Sequence, residues 1–301
     1  MATYHSEQII SANGIKICTD AYGETSDPTV LLIMGASASM VLWEENFCQQ
    51  LADHGRFVVR FDNRDVGRTT CCPLGEPNYS MQDMADDAVA VLDHYGVDRA
   101  HIVGASMGGT ITQLVGLNHP QRVLSLILIG SSPNPGAVTD AMEGAGGIEG
   151  TDAMEALSPP SAEVITAAMA GATLDWTDRA AVLQNRVDMF KVLSGSAYPF
   201  DEPSRRELYG REMDRAADPS SSQNHLLVVG LTERWHHRLG EIKNPTLVIH
   251  GTEDPILPID HGEAIVSGIT GAKLLALPGV GHEIPDGVLD VVIPAIVDIT
   301  S

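Results

Sequence analysis

The chain has 301 residues, 44% of them hydrophobic, and its 18 basic and 40 acidic residues give a net charge of −22. A chain of this length and apolar content can bury a large core without disulfide support. The acidic excess disfavours binding to nucleic acid or to an anionic membrane, because phosphate contacts need clustered Lys and Arg.

Two sequence features bear on the location of the protein. The N-terminus MATYHSEQII has no basic-then-apolar targeting pattern, and no run of about 18 apolar residues is present to span a bilayer. The four cysteines form no C-x-x-C pair, and the adjacent Cys71 and Cys72 are a poor disulfide. We therefore expect a cytoplasmic protein with reduced cysteines.

The predicted elements begin with a β-hairpin, in which two strands within residues 6–23 flank Asn13-Gly14, a strong turn signal. Six short apolar runs follow, of the kind expected for strands buried on both faces. They are TVLLIM (29–34), RFVVRF (56–61), AHIVG (100–104), LSLILIG (124–130), PTLVIHG (245–251) and KLLALPG (273–279). The hairpin and the six runs predict eight strands.

Amphipathic segments lie between these strands. SMQDMADDAVAVLDHYG (80–96) begins with Ser80 as N-cap and Asp83 three residues on, a capping-box arrangement, and Gly96 closes it. Alternating strands and helices imply a mostly parallel sheet with helices on both faces. The sequence therefore predicts an α/β fold.

One interval, residues 133–239, departs from this alternation because it contains no clear buried strand. It is too long for a plain connection in a compact domain, so we predict an inserted helical cap. The core would then comprise residues 1–132 and 240–301. Methionines and aromatic residues are scattered through the cap, where they either line a pocket or pack on the core: Met142, Met154, Met169, Trp176, Met189, Phe190, Tyr198, Met213 and Trp235.

A serine between two glycines stands where a predicted strand meets a predicted helix. Gly104-Ala105-Ser106-Met107-Gly108 ends the run AHIVG and precedes the helical segment TITQLVGLNH. This is the context of a nucleophile elbow, in which a strained turn exposes the serine hydroxyl. Small residues at 104 and 108 relieve crowding around the turn, and the helix N-terminus adds positive potential. The pentapeptide predicts Ser106 as a nucleophile.

A nucleophilic serine needs a general base, and the base needs an orienting carboxylate. In this architecture they follow in the order Ser, acid, His at strand ends. Asp254 lies in the loop after PTLVIHG and His282 in the loop after KLLALPG, with room for one helix and one strand between them. We predict the triad Ser106, Asp254 and His282, with Glu253 as the rival acid.

The tetrahedral intermediate of acyl transfer needs two backbone N–H donors. Met107, directly after the nucleophile, is expected to supply one. The other is expected from the loop after the first buried strand, LLIMGASASMVLW, where Gly35 allows a sharp turn and Ala36 supplies the amide.

Other polar residues carry weaker signals. In RFDNRDVGRTT, Asp62, Arg64 and Arg68 either fix the loop through hydrogen bonds or touch substrate, and we favour the first role. The chain has no H-x-H-x-D or H-E-x-x-H metal motif and no glycine-rich nucleotide motif after a strand. We expect no metal and no cofactor.

Five motifs together resemble the α/β-hydrolase family over nearly the whole chain: LLIMGASASMVLW, VVRFDNRDVGRT, VGASMGGTITQ, IHGTEDPI and GVGH. The first three are similar to the aclacinomycin methylesterase branch, whose members cleave a carbomethoxy ester on an anthracycline-type polyketide. That branch has Met-Gly where many relatives have His-Gly, and Met34-Gly35 stands at this position here. The resemblance implies a serine carboxylesterase with a lid over an α/β-hydrolase core.

The predicted function is cofactor-free ester hydrolysis of a small molecule by a monomer or homodimer, without nucleic-acid or membrane partners. Lactone hydrolysis, including that of acyl-homoserine lactones, uses the same groups and stays open, as do carbon–carbon bond hydrolysis and perhydrolysis. Epoxide hydrolases and haloalkane dehalogenases resemble this fold but carry Asp at the elbow, which disfavours both. A non-catalytic binding protein is the alternative from another class.

Overall fold

The computed structural model describes residues 2–136, 139 and 157–301. Eight strands form one sheet in the order β1-β2-β4-β3-β5-β6-β7-β8. The strands are β1 (Tyr4–Ala12), β2 (Ile15–Tyr22), β3 (Thr29–Ile33), β4 (Phe57–Phe61), β5 (Ala100–Ala105), β6 (Val123–Ile129), β7 (Thr246–Gly251) and β8 (Lys273–Leu277). The prediction of eight strands is confirmed.

The sheet is mostly parallel, as predicted. β1 pairs antiparallel with β2, and β2 antiparallel with β4, whereas every pairing from β4 through β8 is parallel. The turn between β1 and β2 places Asn13 at φ 49° and Gly14 at φ 77°, the left-handed conformations that an Asn-Gly hairpin turn requires.

Nine α-helices occur among the described residues. They are α1 (Glu45–Asp53), α2 (Met81–His94), α3 (Met107–Asn118), α4 (Ala162–Ala172), α5 (Arg179–Leu193), α6 (Glu202–Arg215), α7 (Asn224–Gly230), α8 (Ile259–Gly268) and α9 (Leu289–Ile299). α2 begins with the predicted capping box, since the Ser80 hydroxyl accepts from Asp83 N–H and the Asp83 carboxylate accepts from Ser80 N–H. No helix in the described part of the chain is long and apolar enough to cross a membrane.

The core lies on both faces of the sheet because consecutive strand residues point to opposite sides. Along β3, Leu31 and Ile33 belong to the cluster that includes α2 and α3, whereas Val30 and Leu32 belong to the cluster that includes α1 and α9. All five β3 residues are buried. This two-faced burial explains why the central strands are apolar runs without alternation.

The helices α4 to α7, here called the inserted helices, come between β6 and β7. Three of them begin with side-chain caps: Ser161 before α4, Asp178 before α5 and Asp201 before α6 each accept a hydrogen bond from a backbone N–H of the first turn. The carboxyl ends of the parallel strands lie along one edge of the sheet, which brings together loops that are distant in sequence.

Candidate active site

Ser106 sits between the end of β5 and the start of α3. Its backbone has φ 53° and ψ −121°, a conformation that residues other than glycine rarely adopt. The backbone is fixed at both ends, because Ser106 N–H donates to Ile129 O at 2.8 Å and Ser106 O accepts from the Ser131 hydroxyl at 3.0 Å. The strained turn is therefore held by β6 and by the loop that follows it.

The two glycines that flank Ser106 occupy places with no room for a side chain. A Cβ at Gly104 would lie 2.1 Å from Gly108 O, and a Cβ at Gly108 would lie 2.1 Å from Ile33 O. Neither glycine has a positive φ, so close backbone approach rather than conformational freedom explains both.

His282 and Asp254 form a short hydrogen bond, with His282 Nδ1 2.6 Å from Asp254 Oδ2. Asp254 is buried, and its other oxygen, Oδ1, accepts from the N–H groups of Ile256 at 3.0 Å and Leu257 at 2.8 Å. Burial acts to raise the pKa of Asp254, but His282, the nearby His250 and the Leu257 N–H outweigh it and hold the pKa below its ordinary value. An ionised Asp254 keeps the Nδ1 proton of His282 and leaves Nε2 as the basic nitrogen.

Glu253, the rival acid, lies elsewhere. Its side chain is exposed and accepts from Ser196 N–H and from the Ser196 hydroxyl, each at 2.8 Å. Of these two adjacent acidic residues, Asp254 is therefore the one that is hydrogen-bonded to His282.

Two residues near this pair, Gly130 and His250, were not predicted to contact it. A Cβ at Gly130, which has φ 51°, would lie 3.3 Å from His282 Nδ1 and 3.5 Å from Asp254 Oδ2. His250 Nε2 donates to Leu257 O at 2.7 Å and lies 3.5 Å from Asp254 Oδ2. His250 thereby supports the turn that supplies both donors to Asp254. A glycine ending a strand and a histidine within one carry no local signal of such contacts.

The predicted oxyanion donors lie on two sides of Ser106. Met107 is the first residue of α3, so its N–H has no acceptor within the helix. Gly35 approaches Ser106 closely, since a Cβ at Gly35 would lie 3.1 Å from Ser106 Cβ. The residue of this loop with a left-handed backbone is Ser37, at φ 56°, whereas Gly35 has no positive φ.

A cavity of about 310 Å³ contains Ser106, His282 and Ala36 in its lining. No hydrogen bond joins the Ser106 hydroxyl to His282 among the described residues, and catalytic hydrogen bonds often tighten only around bound substrate. Most other lining side chains are apolar. The region between β6 and β7 contributes Val164, Ile165, Trp176, Met189, Phe190 and Leu226.

The methionines and aromatic residues of the predicted cap therefore divide between pocket and packing. Trp176, Met189 and Phe190 line the cavity. Trp235 is buried in the core cluster of α2 and α3, whereas Met169 is exposed. Met142 and Met154 lie outside the described residues.

The polar residues after β4 form hydrogen bonds and an ion pair with other groups of the protein. Asp62 accepts from Met40 N–H and Arg68 N–H, both at 2.9 Å, and Arg64 pairs with Asp87 at 2.6 Å. These contacts fit the favoured role in loop geometry.

Within residues 2–136, 139 and 157–301, no three His, Cys, Asp or Glu side chains gather as metal ligands. The expectation that no cofactor is needed stays a prediction.

The fold and the side chains at the carboxyl ends of the parallel strands indicate the class of protein to which the chain belongs. Residues 28–286 match the family model described as alpha/beta hydrolase fold, and the chain belongs to that family. The predicted fold class is confirmed, and the chain is a carboxylesterase-type hydrolase.

Individual relatives narrow this class. The chain is 30% identical over 281 residues to rhodomycin D methylesterase DnrP of Streptomyces peucetius, a match that covers 92% of each chain. This confirms the resemblance to the aclacinomycin methylesterase branch. Among solved structures, the chain is similar to Est816, described as an N-acyl homoserine lactone degrading enzyme (25% identity, TM-score 0.63, covering 91% and 93% of the two chains). It also shares its fold with a 2-hydroxy-6-oxo-6-phenylhexa-2,4-dienoate hydrolase of Rhodococcus sp. strain RHA1 (20% identity, TM-score 0.73, covering 99% of each).

Proposed function

We propose that this protein hydrolyses a carboxylic ester through an acyl-enzyme formed on Ser106, with His282 as general base and Asp254 as the group that orients it. One observation carries the proposal: Ser106, held at φ 53°, shares an apolar cavity with His282, whose Nδ1 is hydrogen-bonded to the buried Asp254. A strained serine beside an oriented imidazole is the arrangement that nucleophilic acyl transfer needs.

The steps follow from the positions of the protons. His282 Nε2 takes the Ser106 proton while Oγ attacks the ester carbonyl, and the Ala36 and Met107 amides stabilise the oxyanion. The intermediate collapses when His282 returns that proton to the departing alkoxide, which leaves as the alcohol. Water then attacks the acyl-enzyme with His282 as base, and the carboxylic acid departs with Ser106 restored.

We propose a methyl ester of a hydrophobic, polyketide-like molecule as substrate. The cavity of about 310 Å³ is walled mainly by apolar side chains, with a few polar groups among them, such as Asn185, Arg205 and Glu283. Ligand pockets commonly combine apolar walls with a few placed polar groups. The identity to a rhodomycin D methylesterase supports the choice of a methyl ester.

Labelling and turnover together test the proposal. A fluorophosphonate should modify Ser106 in the intact protein and should not modify the Ser106→Ala variant. Turnover should then be compared across p-nitrophenyl esters of increasing chain length, lactones and bulky aromatic methyl esters. Failure to label Ser106 would overturn the enzyme mechanism, and turnover confined to short acyl esters would overturn the polyketide-like substrate alone.

Lactone hydrolysis is the second candidate, favoured by the similarity to Est816, which is described as degrading N-acyl homoserine lactones. The same nucleophile and base open a lactone, and the alkoxide leaves tethered to the acyl group. The lactone members of the panel separate the two functions, because a lactonase should turn them over faster than open-chain esters of equal size.

We further propose that residues 133–239 act as a cap over the cavity and that the enzyme needs no metal or cofactor. We also propose that it works as a monomer or homodimer in the cytoplasm. The described cysteines are all free, with Cys18 and Cys48 buried, which supports a reducing compartment.

A further inference from the structure

The loop of residues 34–40, here called the oxyanion loop, is hydrogen-bonded in its middle to the segment between β6 and β7, here called the inserted region. Ser37 uses all three of its polar groups there. Its N–H donates to His225 Nδ1 at 2.8 Å, its hydroxyl donates to Ser222 O at 2.8 Å, and its carbonyl accepts from Arg186. These bonds hold a residue whose φ of 56° would otherwise be unfavourable.

A second set of contacts lies two residues further along. Ser39 N–H donates to Glu212 Oε1 at 2.6 Å, and Glu212 Oε2 lies 3.4 Å from Arg186. Glu212 is only 4% exposed, so its carboxylate depends on these partners rather than on water. Arg186 and Glu212 thus connect α5 and α6 to each other and to the same stretch of loop.

His225 links the loop to the core as well as to α7. Because Nδ1 accepts from Ser37 N–H, the ring proton must lie on Nε2, which donates to Arg64 O at 2.6 Å. The ring is fully buried, and burial lowers the pKa of His225, which keeps the imidazole neutral and Nδ1 available as an acceptor. The neutral ring therefore holds the oxyanion loop at a fixed distance from Arg64, which lies in the turn after β4.

We propose that Arg186, Glu212 and His225 are positioning residues that aim the Ala36 amide at the oxyanion. They hold the peptide groups of Ser37, the residue after Ala36, and of Ser39, three residues after Ala36. The start of the loop is held by the core instead, through Asn63 Nδ2, which donates to Met34 O at 2.9 Å. The inference rests on the proposed function. The inserted helices then contribute to the chemical step as well as to substrate binding.

The kinetic consequence differs from that of a substrate contact. Only interactions that strengthen in the transition state raise kcat, and loss of one oxyanion donor costs about 10²–10³ in kcat. A donor that is displaced rather than removed should cost part of this, roughly 10- to 100-fold. KM should change little, because the ground-state ester does not need the amide in its final position.

The main experiment compares two replacements of one carboxylate. Glu212→Leu removes the acceptor for Ser39 N–H. Glu212→Gln keeps an oxygen acceptor at the end of a side chain of the same length. With p-nitrophenyl butyrate, Glu212→Leu should lower kcat by roughly 10- to 100-fold with KM within about threefold, and Glu212→Gln should stay within about fivefold of the parent enzyme. His225→Phe and His225→Asn form a second pair of the same design, which decides the question should Glu212→Leu not fold.

Arg179→Ala is the matched control. Arg179 on α5 pairs with Asp214 on α6 at 2.5 Å, and both side chains are more than half exposed. The substitution breaks a contact between the same two helices without touching the oxyanion loop, so kcat and KM should both stay at the parent values.

A trifluoromethyl ketone that forms a tetrahedral adduct on Ser106 gives an independent readout. Because such an adduct uses the oxyanion donors, its inhibition constant should rise by the same factor by which kcat/KM falls. A role confined to stability would lower the melting temperature without this correspondence.

Two outcomes would overturn the inference: parent-like kcat in both Glu212→Leu and His225→Phe, or a rise in KM with kcat unchanged. Hydrolysis by the parent protein, its loss in Ser106→Ala and labelling of Ser106 are measured in the same series. If those hold while kcat is insensitive, the proposed function stands and only the positioning role fails.

Discussion

The two segments that carry the predicted oxyanion donors are held in different ways. The elbow, residues 104–108, takes its contacts from the core: Ser106 N–H donates to Ile129 O, and Gly108 lies against Ile33 O. The oxyanion loop is anchored by the core at both ends, through Asn63 at Met34 and Asp62 at Met40, but its middle is bonded to the inserted region.

This difference separates two ways of building one site. The elbow is built from a strand, a strained turn and a helix that are continuous in sequence, with small residues where backbones meet. The middle of the oxyanion loop depends on partners 173 and 188 residues away, Glu212 and His225. We therefore expect the elbow to fail through steric overlap and the loop to fail through lost hydrogen bonds.

We expect the greatest loss of activity from a substitution in the elbow. Gly108→Ala places a Cβ 2.1 Å from Ile33 O and 2.8 Å from Met34 O, so the backbone of β3 or α3 must move. Overpacking of this kind costs about 1–3 kcal/mol or more, and displacement of Ser106 should lower kcat/KM by more than about 100-fold. Urea denaturation and ester hydrolysis measure both. Gly240→Ala is the control, because its Cβ would be 3.9 Å from Gly268 O and should be tolerated.

The next effect concerns the strand that leads into the elbow. His101 on β5 is buried, and burial together with Arg56 and Arg99 lowers its pKa to about 4. In the unfolded chain this histidine has a pKa of about 6.5, so below that pH the unfolded chain binds a proton that the folded chain does not. The free energy of unfolding is therefore unaffected by His101 above about pH 6.5 and falls as the pH drops from there toward about 4. The contribution of His101 to the loss between pH 7 and pH 5 is on the order of 2 kcal/mol.

Urea denaturation at the two pH values tests this. His101→Gln should reduce the pH dependence of the free energy of unfolding, and replacement of the exposed His237 by Gln should not. An unchanged difference between pH 7 and pH 5 in His101→Gln would show that acid sensitivity arises elsewhere, for example at His225 beside the oxyanion loop.

A smaller effect is expected at the start of the oxyanion loop. Gly35→Ala places a Cβ 3.1 Å from Ser106 Cβ and 3.2 Å from Ala105 O, so the loop must retreat by a few tenths of an ångström. We expect kcat to fall by roughly tenfold with little change in stability, since small misplacements of catalytic groups are costly. The same kcat as the parent would mean that the loop tolerates a wider range of positions than its contacts suggest.

The weakest effect is expected at an exposed ion pair between two of the inserted helices. The exposed pair of Arg179 and Asp214 joins α5 and α6 at the surface, and such pairs contribute about 0–1 kcal/mol. Arg179→Ala should change the free energy of unfolding by less than about 0.5 kcal/mol. A larger loss, accompanied by lower kcat, would indicate that the oxyanion loop responds to the whole packing of the inserted helices rather than to its own hydrogen bonds.

Much of the fold could be predicted from local patterns. The apolar runs correspond to strands because a strand buried on both faces needs apolar residues at every position, as all five residues of β3 illustrate. The hairpin at Asn13-Gly14 and the cap at Ser80 were equally readable, since each depends on neighbouring residues. The interval 133–239 was harder, because the helices described there bury only part of each surface; on α6 only Leu208, Tyr209 and Glu212 are buried.

Short-range spacing was enough to predict the succession of strands and helices along the chain, the turn that carries Ser106, and the positions of Asp254 and His282 after successive late strands. The contact of His282 with Asp254 rather than Glu253, the room for this pair at Gly130, and the hydrogen bonds of Glu212 and His225 to the oxyanion loop could be seen only in the folded chain. Side-chain direction and contacts between distant segments depend on how layers pack, and no local pattern records that packing.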